Sequence, residues 1–145
     1  MPNDVKRKNS GPPASMAGSA AAVLAIDDDP ALLHSLVSVL ESYGIAIATA
    51  RDGLEGLQTF RRIAPAVVLT DILMPEQDGI GTIMAMRRER PGVKIIAMSG
   101  GGRVGKSDFL AIAKKLGAES VVHKPFDVDE LVATIRGHLM SAGRS

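Results

Sequence analysis

The chain has 145 residues, a formal net charge of +1 and no cysteine. This length suits one domain with a substantial core, and the near-neutral charge predicts neither a nucleic-acid nor a membrane partner. The lack of cysteine excludes disulfides and thiolate metal sites and suits a reducing compartment, so we expect a cytoplasmic protein. Aromatic residues make up only 3% of the chain, so we expect an aliphatic core.

Residues 1–19 are predicted to form a disordered tail. A basic cluster precedes the first apolar run, as in a secretory signal, but Gly11-Pro12-Pro13 interrupts the pattern. No run approaches the ~18 apolar residues that a membrane span requires. We therefore place one domain at 20–141 and a short tail at 142–145. Because the chain stops soon after its last apolar stretch, we expect this domain to act without an attached output module.

Short apolar runs alternate with stretches of helical periodicity along the rest of the chain. The runs predicted as strands are residues 21–26, 45–50, 66–70, 93–98 and 120–123. An amphipathic helix is predicted after each of them. Strands that alternate with helices imply right-handed crossovers, so the sequence predicts an α/β fold with a doubly wound, five-stranded parallel sheet flanked by five helices.

Polar residues mark where several of these helices begin and end. Asp29, Asp52 and Asp127 stand at N-cap positions of the first, second and last helices. Gly117 is placed to end the fourth helix. The apolar stripe expected to face the core in the second helix consists of Leu54, Leu57 and Phe60.

Carboxylates follow two of the predicted strands at the point where each strand ends. Asp27 and Asp28 follow the first strand, and Asp71 follows the third. The carboxyl ends of parallel strands meet at one edge of the sheet, where open α/β folds place their chemistry. Mg²⁺ prefers such oxygen ligands. We therefore predict that Asp28 and Asp71 bind Mg²⁺ directly and that Asp27 holds a coordinated water.

Complementary groups follow two of the remaining strands. A carboxylate beside a metal ion, such as Asp71, can act as a nucleophile toward phosphorus and form an aspartyl-phosphate. Ser99 follows the fourth strand and can donate a hydroxyl to a phosphoryl oxygen. Lys124 follows the fifth strand and can place a positive charge against the developing negative charge. The predicted site therefore suits phosphoryl transfer.

The order of these residues along the chain resembles the receiver domain of two-component response regulators. The resemblance covers residues 21–140 and is carried by the following motifs: Asp27-Asp28, Asp71 with Met74-Pro75 and Asp78-Gly79, Ser99, and Lys124-Pro125-Phe126. No single motif is specific, but the ordered set is. The resemblance implies a flavodoxin-like, receiver-type fold, and the absence of an output module makes the chain similar to free-standing, chemotaxis-type regulators.

The resemblance also implies a role for each residue of the site. Asp71 would accept a phosphoryl group from the phosphohistidine of a histidine kinase or a histidine phosphotransfer protein. The backbone carbonyl of Leu73 would join the Mg²⁺ ligands, Ser99 would be the switch hydroxyl, and the peptide before Pro125 would be cis. The domain would catalyse only its own phosphorylation and dephosphorylation. A downstream protein would bind the face formed by the fourth helix, fifth strand and fifth helix.

Two features depart from the family pattern. Val121 occupies the position, three residues before Lys124, where the family usually has an aromatic switch residue. Signalling by rotation of an aromatic ring is therefore not expected. The loop at 100–105 is rich in glycine, and we expect it to become ordered when Ser99 moves toward a phosphoryl group.

Three alternative functions remain open on the sequence. A phosphate sink or shuttle would pass phosphoryl groups to a histidine phosphotransfer domain without an output contact. Residues 100–107 satisfy the P-loop pattern G-x-x-x-x-G-K-S, which alone indicates nucleotide binding, although too little chain follows for an NTPase core. Asp27 and Asp29 also fit the D-x-D opening of haloacid-dehalogenase-like phosphatases, as nucleophile and acid/base respectively, but that interpretation leaves Asp71 unused.

Overall fold

The computed structural model describes residues 21–71, 79–100 and 106–144. The strands are β1 (Val23–Ile26), β2 (Ile47–Ala50), β3 (Val67–Asp71), β4 (Lys94–Ser99) and β5 (Ser120–His123). The helices are α1 (Pro30–Ser42), α2 (Gly53–Ile63), α3 (Gly79–Glu89), α4 (Lys106–Lys115) and α5 (Val128–Arg144). Three strands lie within the predicted runs, whereas β3 and β4 each end one residue beyond theirs, at Asp71 and Ser99. Helix α5 continues through residues 142–144, which were predicted to form a tail.

The five strands form one parallel sheet in the order β2-β1-β3-β4-β5. The predicted doubly wound α/β fold is confirmed. The pairing aligns Ile26 with Thr70, and Asp71 with Met98. The residues that follow β1 and end β3 are therefore neighbours at the carboxyl edge of the sheet.

The core consists of two layers because alternate residues of each strand face opposite sides of the sheet. In β1, Val23 and Ala25 pack with α1 and α5, whereas Leu24 and Ile26 pack with residues of α2, α3 and α4. All four side chains are fully buried. Such complete burial on both faces explains why β1 is a continuous apolar run.

Helix capping follows the sequence prediction, whereas one predicted core residue is exposed. The carboxylates of Asp29, Asp52 and Asp127 accept backbone N–H groups at the starts of α1, α2 and α5. Leu54, predicted to face the core, is 64% exposed, because it points outward from the first turn of α2. None of the described helices combines the length and the apolar character that crossing a membrane requires.

Arg87 joins three elements at the amino edge of the sheet. Its guanidinium donates hydrogen bonds to the carbonyls of Val93 and Gly117 and to the carboxylate of Glu119. Glu119 also accepts the N–H of Ile95 at 2.8 Å. The end of α3 is thereby tied to the start of β4 and to the turn between α4 and β5.

We predict opposite stability effects for two helical Gly→Ala substitutions. A Cβ at Gly56 of α2 would lie 2.6 Å from Cδ1 of the buried Ile26, whereas one at Gly137 of α5 would meet nothing within 4 Å. Gly137→Ala is expected to stabilise by about 0.5–1 kcal/mol through helix propensity. Gly56→Ala is expected to destabilise by roughly 1–2 kcal/mol, since overpacking exceeds that gain. Urea unfolding of both variants measures their free energies of unfolding. Equal changes in the two variants would contradict the close approach of α2 to β1.

Candidate functional site

The site lies at the carboxyl edge of the sheet, where β1 and β3 end side by side. Asp27 directly follows β1, and its N–H donates to the carbonyl of Ala50 at 3.1 Å. Asp71 is the last residue of β3. The side chain of Asp27 is only 1% exposed and that of Asp71 is 15% exposed. Both acidic side chains are therefore largely shielded from solvent at this edge of the sheet.

The ammonium group of Lys124, which follows β5, contacts both of these carboxylates. Its Nζ lies 2.6 Å from Oδ2 of Asp27 and 3.1 Å from Oδ2 of Asp71. The Lys124 side chain is 21% exposed. Residues from the ends of three strands are thus joined by two charge-assisted hydrogen bonds.

Burial and charge shift two ionisable groups of the site. Burial raises the pKa of the Asp27 carboxyl above its ordinary value, and this effect exceeds the opposing hydrogen bonds from Lys124 and from the N–H of Asp29. Burial lowers the pKa of Lys124, but its hydrogen bond to Asp27 and the charges of Asp71 and Asp27 outweigh that effect and leave this pKa raised. Lys124 is therefore charged at neutral pH, and the ionised form of Asp27 depends on a nearby cation.

The remaining aspartates of the cluster differ in their surroundings. Asp28 is exposed at the rim of the pocket. Asp29 caps α1, because its Oδ1 accepts the N–H groups of Ala31 at 3.0 Å and Leu32 at 3.3 Å. Asp28 is thus the member of the cluster whose side chain can approach an ion from the solvent side.

The ends of β4 and β5 complete the described part of the site. The backbone carbonyl of Ser99 accepts the N–H of Lys124 at 2.8 Å, which fixes the two strand ends relative to each other. The peptide between Lys124 and Pro125 is cis, as the resemblance implied. Val121 is half-buried and packs against the core on the α2–α4 side of the sheet.

The acidic side chains of the site suit Mg²⁺, because they provide only oxygen ligands. The contacts of the Lys124 ammonium with two of these carboxylates show that a positive charge is stabilised there. Among the side chains that the structure describes, no group of three acidic or histidine residues is positioned to hold a metal ion. Leu73, the predicted carbonyl ligand, lies outside the described residues, as do Met74-Pro75, Asp78 and the loop 101–105.

Sequence comparison identifies relatives of which about half the length matches this chain. A profile of the response regulator receiver domain matches residues 23–136. The chain is 31% identical to the probable transcriptional regulatory protein TcrX of Mycobacterium tuberculosis, over 87% of this chain and 53% of TcrX. It is 34% identical to the DNA-binding response regulator MtrA of Mycolicibacterium smegmatis, over 81% of this chain and 50% of MtrA. The chain thus spans about half the length of these relatives.

Solved structures of similar fold include chains that the match covers almost completely. A CheY-like response regulator receiver domain protein from Methanospirillum hungatei superimposes with a TM-score of 0.74 at 26% identity, covering 84% of this chain and 95% of that one. A receiver domain protein from Clostridium thermocellum gives a TM-score of 0.75 at 28% identity, covering 83% and 95% of the two chains.

Proposed function

Because this chain belongs to the response regulator receiver domain family, we propose that it is a signalling domain controlled by phosphorylation of Asp71. The observation that carries the proposal is the ammonium of Lys124 placed between the carboxylates of Asp27 and Asp71, which come from different strand ends. A cation held beside a carboxylate, both only partly exposed, suits a group that gains a phosphoryl charge.

The proposed reaction is a single phosphoryl transfer. An oxygen of Asp71 attacks the phosphorus of a phosphohistidine, the P–N bond breaks as the P–O bond forms, and the released imidazole takes a proton from water. Lys124 turns from the Asp71 carboxylate toward a phosphoryl oxygen, and the hydroxyl of Ser99 donates to another. Bound Mg²⁺ would neutralise charge on the phosphoryl oxygens, with Asp28 and Asp71 as its carboxylate ligands and Asp27 holding a water.

The proposal extends to partners and location. The phosphodonor is a histidine kinase or a histidine phosphotransfer protein, and the domain acts only on its own phosphoryl group. An effector protein binds the face of α4, β5 and α5 in the phosphorylated state. The absence of cysteine supports a cytoplasmic location.

The geometry favours this function over a haloacid-dehalogenase-like phosphatase. That alternative requires Asp27 as nucleophile, but its carboxylate is 1% exposed and accepts hydrogen bonds from Lys124 and from the N–H of Asp29. It also requires Asp29 as acid/base, but Asp29 caps α1. Asp71, at 15% exposure, is the more accessible of the two carboxylates, which supports its proposed role as the nucleophile.

Acetyl phosphate provides a direct test of the proposed reaction. We expect the protein to gain one phosphoryl group in the presence of Mg²⁺ and none in the presence of EDTA, measured by intact-protein mass spectrometry. The adduct should be labile to hydroxylamine, as an acyl phosphate is, and peptide mapping should place it on Asp71. Metal-independent labelling, or an adduct stable to hydroxylamine, would contradict the proposal.

Gly100 offers a prediction about the lifetime of the phosphoryl group. A Cβ at this position would lie 3.8 Å from Nζ of Lys124, which is ordinary contact, so alanine fits. The added methyl group narrows the approach of water to Asp71. We expect Gly100→Ala to slow dephosphorylation roughly threefold to tenfold, about 0.7–1.4 kcal/mol in activation free energy. Decay of the phosphorylated protein measures this, with the remote Gly137→Ala as control; equal decay rates would show that water does not approach past Gly100.

A further inference from the structure

Among the strands that the structure describes, β2 is at the edge of the sheet, and a cavity lies beside it. β2 is the terminal strand of the sheet next to β1. A cavity of about 320 Å³, within the range of about 300–1,000 Å³ typical of binding pockets, opens between β2, α1 and the start of α2. Its walls are Pro30, Leu33, His34, Val37, Thr49, Ala50, Arg51 and Glu55. None of these residues belongs to the phosphorylation site proposed above.

Part of the β2 backbone faces away from β1. The carbonyl of Ala46 accepts N–H groups at the start of β1, and the carbonyl of Ala50 accepts the N–H of Asp27 directly after β1, so Ala46 and Ala50 face β1. Because successive residues of a strand direct their N–H and C=O groups to opposite sides, Ile47 and Thr49 direct theirs outward. An edge of this kind is a template for a further strand.

The residue types that usually prevent such pairing are absent from residues 45–50. Residues 45–50 are Ile-Ala-Ile-Ala-Thr-Ala, which contain no charge, proline or glycine. Lysine or proline on an edge strand normally blocks association. The β-branched residues Ile47 and Thr49 favour an extended conformation instead.

The cavity lies where a side chain of an added strand would enter. Ile47 packs against the core layer of α1, so the side chains of Ile47 and Thr49 face that helix. A strand placed ~4.8 Å beyond β2 would direct every second side chain toward the same flank of α1. Leu33 and Val37 provide an aliphatic wall there, and Val37 is only half-buried. One large aliphatic side chain therefore complements the cavity.

The rim of the cavity carries an exposed guanidinium group. The Arg51 side chain is 74% exposed and forms a long ion pair with Glu55, with 3.9 Å between Nε and Oε1, so the other guanidinium nitrogens can still donate to a second carboxylate. Oε1 of Glu55 also accepts the backbone N–H of Arg51 at 2.7 Å. Asp29 and Asp52 at the same edge are engaged as helix caps. Arg51 is thus the exposed cation of the rim, and the exposed His34 lines the same cavity.

We propose that β2 and this cavity form a docking site for an extended peptide segment of a partner protein. The segment adds a sixth strand to the sheet by hydrogen bonding to Ile47 and Thr49. A large aliphatic side chain fills the cavity, and an acidic side chain two positions away, on the same face, pairs with Arg51. Main-chain bonds give affinity and the cavity gives selectivity, as in other strand-addition complexes.

Two synthetic hexapeptides, with threonine at every position except two, test this proposal. One has leucine at the second position and aspartate at the fourth, and the other has them in reverse order, which covers both strand directions. We expect at least one to bind at micromolar to millimolar concentration, to shift the NMR amide signals of Ile47 and Thr49, and to slow their hydrogen exchange at least tenfold at saturation. Lysine in place of aspartate should weaken binding about two- to fivefold.

Two variants of the protein make the test specific. Val37→Glu should abolish binding by placing a charge in the cavity while leaving the Tm within a few degrees, because Val37 is not in the buried core. Arg51→Glu should reverse the preference, so that the lysine peptide binds more tightly. The proposal is overturned if neither peptide binds at millimolar concentration or if Val37→Glu binds equally well. It is also overturned if the Ile47 and Thr49 signals change with protein concentration alone, which would assign the edge to a second copy of this chain.

Discussion

Asp71→Asn is expected to lower phosphorylation by acetyl phosphate or a phosphorylated kinase below detection, by at least about a thousandfold. The amide is not a nucleophile toward phosphorus, whereas the carboxylate is. The substitution keeps the size of the side chain, and its oxygen can still accept the hydrogen bond that Lys124 donates to Oδ2 of Asp71. An unchanged Tm would therefore accompany the loss, and intact-protein mass spectrometry measures it.

Asp27→Asn is the matched comparison, because it changes the other carboxylate that contacts Lys124. Asp27 acts through a water in the proposed Mg²⁺ site, so its loss should weaken metal affinity and phosphorylation about 10- to 100-fold without abolishing the reaction. The adduct should still map to Asp71. Complete loss in Asp27→Asn together with labelling of Asp71→Asn would instead assign the nucleophile to Asp27 and support the phosphatase alternative.

Lys124→Met is expected to destabilise the metal-free protein by roughly 1–3 kcal/mol at pH 7, because it leaves Asp27 buried without its cationic partner. The lower part of the range allows for the 21% exposure of the Lys124 side chain. Chemical denaturation in the presence of EDTA measures the effect. Lys115→Met, a charge removal at an exposed position of α4, is the control and should leave stability unchanged within about 0.5 kcal/mol.

The same variant should show a characteristic dependence on pH. The Asp27 pKa in the folded protein is raised above its ordinary value of 3.8, and removing Lys124 removes an interaction that lowers it. A carboxyl group with a raised pKa contributes full stability below its unfolded pKa and loses that contribution as the pH rises through the folded pKa. Lys124→Met should thus lose more stability relative to the wild type as the pH rises from about 4 to 7.

Adding Asp27→Asn to Lys124→Met should restore most of the lost stability and remove the additional pH dependence, because no buried charge remains unpaired. Saturating Mg²⁺ should also stabilise the single variant, since a cation bound to the folded state compensates the carboxylates. If the double variant is no more stable than Lys124→Met, the loss comes from packing of the lysine side chain and not from charge.

The fold could be predicted from the sequence because the patterns that specify it, apolar runs and helix caps, involve residues close together in the chain. Runs such as Val23 to Ile26 are apolar for the length of one strand, and Asp29-Pro30 is a recognisable helix start. The outward direction of Leu54 was not predictable, since position 54 matches the apolar period while the burial of a first helical turn depends on how the helix is placed on the sheet.

The members of the site could be predicted by position, but their contacts could not. Each of Asp27, Asp71 and Lys124 follows a strand, so their meeting at one edge follows from a parallel sheet. That Lys124 contacts both carboxylates depends on side-chain conformation, which the sequence does not encode locally. The hydrogen bond between Ser120 and His138, 2.7 Å long, is similarly absent from any sequence pattern, because it joins β5 to α5 across 18 residues.

The contacts of Lys124 also link the chemistry of the site to the order in which the chain folds. Lys124 is separated by 97 residues from Asp27 and by 53 residues from Asp71. Closing loops of this length costs entropy that only long-range packing repays, which slows folding. A nascent chain that has emerged only as far as β4 carries both carboxylates without the ammonium group. If the site is phosphorylated as proposed, we expect this competence to arise only when β5 joins the sheet, so that an unfinished chain would not compete for the phosphodonor.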